Sequence, residues 1–276
     1  MRIAGKSIQR RVALLFALVC TIGQAHAAQP AKQEYAPRVG QPGKDVVWVP
    51  TPDSLVDKML ELAKVTPNDY LIDLGSGDGR TVITAAKRGT RAHGIEYNPE
   101  MVELSKRNAA MEGVSDKATF AKADLFESDF SQATVITMFL LPQINLKLRP
   151  KILDLKPGTR IVSNSFTMGE WEADETASTS DDCSGWCTAL LWIVPAKVEG
   201  SWKLQDGEIE LKQSYQTVSG TLKTGNRIVP ITSGRLRGDE IYLRTGDNEY
   251  RGRVSADTIL LTSKTGSEWK ATRTSR

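Results

Sequence analysis

Tyr70-Leu-Ile-Asp-Leu-Gly-Ser-Gly-Asp-Gly-Arg80 is the stretch whose reading decides the fold. Tyr70, Leu71, Ile72 and Leu74 surround Asp73 as a short apolar run suited to a buried strand, after which the chain breaks into Gly75, Gly77 and Gly79. Glycine lacks a Cβ, so this loop can turn tightly and let backbone N–H groups approach a ligand, beside a helix that begins near Thr81. The dinucleotide fingerprint needs its third glycine one position later, where this chain has Arg80. Gly-x-Gly-x-Gly after an acidic strand end points away from a nicotinamide cofactor and toward S-adenosylmethionine. A glycine-rich βα turn that binds nothing would look the same, so the neighbouring acids matter.

Arg91-Ala-His-Gly-Ile-Glu-Tyr97 reads as a second strand, and its Glu96 lies 21 residues after Gly75, the length of one βα unit. An acid there can accept from both ribose hydroxyls of an adenosine cofactor, with Tyr97 against the adenine. Pro99 opens a helix to about Met111. Ala118 to Ala123 reads as a third strand leading to Asp124, which can accept from the adenine amine, with Leu125 beside it. Each acid alone reads equally well as a cap or loop residue. Asp73, Glu96 and Asp124 at three successive strand ends form a pattern that such chance does not explain.

Ala133 to Leu140 is almost continuously apolar, as a central parallel strand buried on both faces should be. A helix over Ile144 to Leu155, interrupted near Pro150, and a fifth strand over Arg160 to Ser165 follow. The alternation predicts an α/β fold, a Rossmann-like doubly wound sheet over residues 46–195 whose ligands sit beyond the strand carboxyl ends. Upstream, Thr51 is placed to N-cap a helix starting at Pro52, with Leu55, Val56, Met59, Leu60 and Ala63 on one face.

Residues 1–27 read as a secretion signal: Arg2, Lys6, Arg10 and Arg11, then an apolar core from Val12 to Ile22, then Ala25-His-Ala27. The expected location is periplasmic or secreted; the alternative is an uncleaved segment anchoring the chain to the inner membrane. No stable membrane span is expected after cleavage. Val19 before Cys20 argues against a lipoprotein site, and Arg10-Arg11 is a weak twin-arginine signal. Without the four basic residues of this segment, 32 Lys and Arg face 33 acids, so no electrostatic case for nucleic-acid binding arises. Residues 28–45, rich in Pro and Gly, read as a flexible lead-in.

With these motifs in place, Val46 to Pro195 resembles a class I S-adenosylmethionine-dependent methyltransferase. Val49-Pro-Thr51, Asp73-Leu-Gly-Ser-Gly-Asp-Gly-Arg80 and Phe139-Leu-Leu-Pro142 are similar to the small seven-strand protein-lysine methyltransferases of the ATP-synthase c-subunit and nucleotide-carrier type. The resemblance implies that Thr51, Gly75, Ser76, Gly77 and Gly79 line the methionine end of S-adenosylmethionine, and that Phe139, Leu140 and Pro142 face the acceptor. Methyltransferases of nucleic-acid or glutamine amines place Asn or Asp before a Pro-Pro-aromatic run, which Phe139-Leu-Leu-Pro142 lacks. An aliphatic amine needs mainly desolvation and alignment. His93, the only histidine beyond the signal, reads as structural, and no metal site is expected.

Between Phe166 and Cys187 lie Glu170, Glu172, Asp174, Glu175, Asp181 and Asp182 with no Lys or Arg, either an acidic rim that attracts a cationic acceptor or a solvated hairpin loop. Cys183 and Cys187 are expected to pair in an oxidising compartment. From Ala196 to Arg276 the pattern turns to alternating apolar residues with Gly and Thr. Segments from Val218, Thr232 and Tyr250 each carry an early glycine and a turn before an isoleucine strand, which predicts an all-β module, an antiparallel meander or small barrel of six to eight strands. The leading expectation is an exported methyltransferase acting on an amine, that of a protein lysine ahead of a small-molecule amine, with the β module positioning the acceptor or a partner. A small-molecule or lipid methyltransferase, and a non-catalytic binding protein, are the alternatives.

Overall fold

Leu55, Val56, Met59 and Leu60 bury one side of α1 (Asp53–Leu62) against a sheet that runs through the first two thirds of the chain. The computed structural model describes Met1 and residues 35–275, so the stretch read as a signal lies outside the described residues apart from Met1. Pro52, not Thr51, stands at the N-cap of α1, and no side chain caps the helix. The proline carbonyl accepts from Leu55 and Val56 and starts the helix itself, while the Thr51 hydroxyl turns to Asn164, 3.4 Å away.

The strands follow as β1 (Tyr70–Leu74), β2 (Arg91–Glu96), β3 (Ala118–Lys122), β4 (Val135–Met138), β5 (Arg160–Asn164), β6 (Glu175–Ser178) and β7 (Thr188–Ile193). Helices α2 (Arg80–Lys87), α3 (Pro99–Met111) and α4 (Pro142–Leu153) connect them. Their order across the sheet is β3-β2-β1-β4-β5-β7-β6, parallel from β3 to β5 and antiparallel for β7 and β6. This is the doubly wound sheet expected. The period of two sends Leu71 into one core with α1 to α3, and Ile72 and Leu74 into the other with α4. After β3 the chain returns to the far side of β1, so the carboxyl ends of β1 and β4 flank a switch point, where such sheets bind ligands.

Pro150 does not interrupt α4, which runs unbroken from Pro142 to Leu153. Proline removes one helical N–H, leaving the Leu146 carbonyl without its helical donor; Leu146 is on the exposed side, where water can replace that bond.

The remaining strands are β8 (Gly200–Leu204), β9 (Gly207–Ser214), β10 (Thr217–Thr224), β11 (Arg227–Ile231), β12 (Ser233–Arg237), β13 (Glu240–Thr245), β14 (Asn248–Ser255), β15 (Thr258–Ser263) and β16 (Glu268–Arg273). They form a nine-stranded antiparallel sheet that closes on itself where β9 pairs with β10, making a barrel. β11 and β12 are one strand bent at Thr232. The glycine early in each repeated segment has a shared purpose: a Cβ on Gly220, Gly234 or Gly252 would run into the carbonyl of Glu210, Val218 or Leu260 on the neighbouring strand. The barrel interior is packed with side chains, including Trp202, Ile209, Leu236 and Ile259, and the Tyr250 and Trp269 rings lie 4.7 Å apart.

The barrel is tied to the α/β sheet by the acidic insert. Asp174, its side chain fully buried, accepts from the Ile193 N–H at 2.8 Å and from Arg235 at 2.6 Å; Glu175 pairs with Arg237; the Glu172 carbonyl accepts from Gln216 at 2.8 Å. Trp171 stacks on Tyr215 with ring centroids 6.1 Å apart. Half of the acids read as an acidic rim are therefore committed elsewhere, Glu170 to Arg149, Asp174 to Ile193 and Arg235, and Glu175 to Arg237, while Asp182 meets the Ser54 hydroxyl. Among the described residues no helix is long and apolar enough to cross a membrane.

Candidate active site

A cleft opens over the carboxyl ends of β1, β2 and β4, floored by the glycine loop. Gly75, Gly77 and Gly79 have φ of 81°, 54° and 85°, a region that side chains disfavour. Gly77 also has no room for a side chain, since a Cβ would come 2.6 Å from the Trp48 indole nitrogen.

The loop's backbone donors, however, are turned inward. The N–H groups of Gly75 and Ser76 donate to the Ile95 carbonyl at 2.9 and 3.1 Å, that of Gly77 to Glu96 Oε2 at 3.0 Å, and that of Gly79 to the Ser76 carbonyl at 2.9 Å. A pyrophosphate site aims such donors at the ligand. Here the glycines supply close approach and shape, which suits a cofactor without phosphates. Gly79 itself lies behind the cleft, against Phe120 and Ser105.

Asp73 is buried and accepts from the Thr137 hydroxyl at 2.7 Å. Burial pushes its carboxyl up to about 7, Thr137 opposes the shift, and the nearby charges of Glu96 and Asp78 add to it. Glu96 is oriented at both oxygens, by the Gly77 N–H and, at 2.9 Å, by the Asn98 N–H, and it lines the cleft with Tyr97 and Leu125. Arg80 grips Asp78 through two nitrogens and donates to the Thr51 carbonyl at 2.9 Å, fixing Thr51 and the glycine loop to each other. Ser76 also lines the cleft, and its buried hydroxyl has no partner among the described residues.

Part of the stretch read as a flexible lead-in is folded over this site. Gly40 donates to the Trp48 carbonyl at 2.8 Å, Trp48 to Gln41 at 2.9 Å, and Gly43 to Val46 at 3.0 Å, so residues 40–48 double back as a small hairpin. Its Lys44 ammonium is 2.5 Å from Asp124 and 5.0 Å from the Tyr97 ring centre. Their mutual hydrogen bond raises the Lys44 value and lowers that of Asp124. Sequence reading missed this hairpin because it has no apolar periodicity; the run Val46-Val-Trp-Val49 was the available sign.

At the other end of the cleft, Phe139, Leu140 and Leu141 follow β4, and Ile144, Phe166 and Trp186 join them. Pro142 takes the first position of α4 and lies outside the cleft lining; Leu141 and Ile144 stand there instead. His93 is away from the cleft, its Nδ1 2.8 Å from the Thr119 hydroxyl on β3. Cys183 and Cys187 form a disulfide, with Cα atoms 5.8 Å apart. Among the described residues no group of three or more His, Cys, Asp and Glu side chains could hold a metal.

A sheet parallel from β3 to β5, a glycine loop whose Gly75, Ser76, Gly77 and Gly79 N–H groups turn inward, and acids at the strand ends point to the S-adenosylmethionine-dependent methyltransferase class. Residues 73–175 match the family described as the ANTKMT methyltransferase domain. The chain is 45% identical over 139 residues to a protein-lysine N-methyltransferase of Saccharolobus islandicus, covering 49% of this chain and 86% of that protein. It is 34% identical over 136 residues to the human lysine N-methyltransferase of the ATP synthase c-subunit, covering 49% of this chain and 58% of that one. Among solved structures, an RNA methyltransferase from Salinibacter ruber in complex with S-adenosyl-L-homocysteine is 47% identical, with a TM-score of 0.51 over 54% of this chain and 96% of that one. The chain belongs to this methyltransferase family. The family match ends at residue 175, before β7 and the barrel.

Proposed function

We propose that this chain transfers a methyl group from S-adenosylmethionine to a protein lysine amine. The observation that carries the reading is the acceptor end of the cleft, where Phe139, Leu140 and Leu141 offer no side chain to hold an amide or a base amine. The relatives named as lysine methyltransferases support it.

When bound, S-adenosylmethionine supplies an electrophilic methyl on a sulfonium. The residues present fit it: Asp73 would take the cationic methionine end, Glu96 would accept from the ribose, and Asp124 from the adenine amine once Lys44 moves aside. The apolar wall strips water from an entering amine, which favours its uncharged, nucleophilic form and aligns it without a dedicated base. The barrel, held to the sheet around Ile193 by the amino end of β5 and not at the cleft, is proposed to bind a partner or a part of the acceptor remote from the reacting amine.

The test is incubation of the purified chain with methyl-labelled S-adenosylmethionine and either lysine peptides or RNA, with products read by mass spectrometry. Label on the lysine Nζ is expected; label on RNA alone would overturn the reading. Export is proposed as well, supported by the basic, apolar and small-residue order of residues 2–27 and by the disulfide. Cell fractionation checks it, and an untrimmed chain free in the cytosol would contradict it.

A further inference from the structure

We propose that Trp186, carried on the Cys183–Cys187 disulfide loop, forms with Phe139 and Phe166 an aromatic subsite for the amine-bearing side chain of the acceptor. This deepens the lysine reading above and rests on it.

The three rings come from separate elements and meet only in the folded chain. Phe139 follows β4, Phe166 follows β5, and Trp186 precedes β7. Phe139 and Phe166 stack with centroids 5.9 Å apart, and Trp186 tilts against Phe139 at 6.1 Å. These distances are direct ring contact, so the trio is a continuous wall and not a closed cage. All three rings line the cleft, and Trp186 keeps 52% of its surface exposed. An exposed indole at the edge of a cofactor cleft suits an alkyl chain that arrives as an ammonium, which the ring face attracts before the amine gives its proton to solvent and moves uncharged along the apolar wall.

The placement of Trp186 is imposed by its loop. Its φ of 56° is one that large side chains seldom adopt, so the surroundings must hold it. The disulfide closes Cys-Ser-Gly-Trp-Cys into a ring; the Thr179 N–H donates to the Cys187 carbonyl at 3.1 Å, and the Ser54 hydroxyl to the Asp181 carbonyl at 2.6 Å. Ser54 also meets the Asp182 side chain. Phe166 is fixed likewise: the Ser165 N–H donates to Thr188 at 2.7 Å, and the Asn145 amide to the Phe166 carbonyl at 3.2 Å. Reduction would leave Trp186 free to rotate away, making acceptor affinity depend on the redox state.

The experiment uses the full chain, with Trp186→Ala, Trp186→Phe and the double variant Cys183→Ser/Cys187→Ser. Kinetics with a lysine peptide give KM and kcat; calorimetry follows S-adenosylmethionine; saturation-transfer NMR follows n-butylammonium independently of turnover. Trp186→Ala is expected to raise acceptor KM about ten-fold and to abolish n-butylammonium binding, with kcat and cofactor affinity little changed. Trp186→Phe should restore much of both. The double Ser variant, and the wild type under reductant, should move KM the same way. Unchanged KM and n-butylammonium binding in Trp186→Ala would overturn the subsite while lysine methylation by the wild type still stood. Trp186-dependent n-butylammonium binding in a chain that methylates no lysine would keep the subsite and defeat the lysine reading. A KM indifferent to reductant and to the Ser variant would overturn the role of the disulfide.

Discussion

The Lys44 ammonium lies 2.5 Å from the Asp124 carboxylate, the acid proposed above to accept from the exocyclic amine of a bound adenine, although Asp124 itself is outside the cleft lining. The hairpin that carries Lys44 thus satisfies the acid at the end of β3 from within the chain. With Asp124 in that proposed role, binding an adenosine cofactor would exchange one partner for the other.

Lys44→Ala is accordingly expected to tighten S-adenosylmethionine binding by removing the competitor, and Asp124→Ala to weaken it. Isothermal titration of the two variants beside the wild type checks this. Weaker binding in Lys44→Ala would show that the lysine closes on the cofactor and does not compete with it.

Asp73 gives the site a pH dependence. Its folded value of about 7 lies above that of an ordinary carboxyl, so its contribution to stability is full below about pH 4 and is lost as pH rises through about 7. In the proposed site a cofactor ammonium would pair with the ionised form. Affinity should therefore rise with pH, by up to about ten-fold per unit below about pH 7, and level off above it. Titrations in buffers of different ionisation enthalpy should show proton release below about pH 7, absent in Asp73→Asn.

Gly77 and Gly113 separate backbone strain from lack of room. Both have positive φ, 54° and 69°, but a Cβ on Gly113 meets nothing within 4 Å, whereas one on Gly77 meets Trp48 at 2.6 Å. Gly113→Ala should cost about 1–2 kcal/mol of stability and leave cofactor affinity intact. Gly77→Ala should cost more and displace Trp48, with loss of affinity. Chemical denaturation and titration of each variant give both quantities.

Asp174 anchors the barrel to the α/β sheet. Replacing it with Ala leaves the Ile193 N–H without its acceptor and Arg235 without its partner. The expected loss is about 1–3 kcal/mol, seen as a lower midpoint in urea. Glu175→Ala, whose pair with Arg237 is partly exposed, should lose at most about 1 kcal/mol.

The α/β sheet was legible because each step is local. The glycine loop, the buried run of β4 and the apolar face of α1 are periodicities or fixed spacings within one element, and the structure places them where their pattern required. Thr51 and Pro150 were misread for a common reason: a proline's effect depends on its surroundings. At Pro52 the proline carbonyl begins the helix without a side-chain cap, and at Pro150 the exposed side of α4 tolerates the missing N–H. The acids of the insert were visible as charge, but sequence could not show that Asp174 and Glu175 had arginine partners 61 and 62 residues further along the chain.

By itself, then, the sequence determined the fold class and the acids at successive strand ends, since backbone propensity and short spacing dictate these; the pairing of Cys183 with Cys187 was an expectation that the structure bears out. Only the tertiary structure decided that the glycine loop turns its N–H groups inward, that Lys44 reaches Asp124 across 80 residues, and that Phe139, Phe166 and Trp186 share one wall. Those relationships join side chains from elements far apart in the chain. Their partners are set by the closing of the sheet and its loops, which no local pattern encodes.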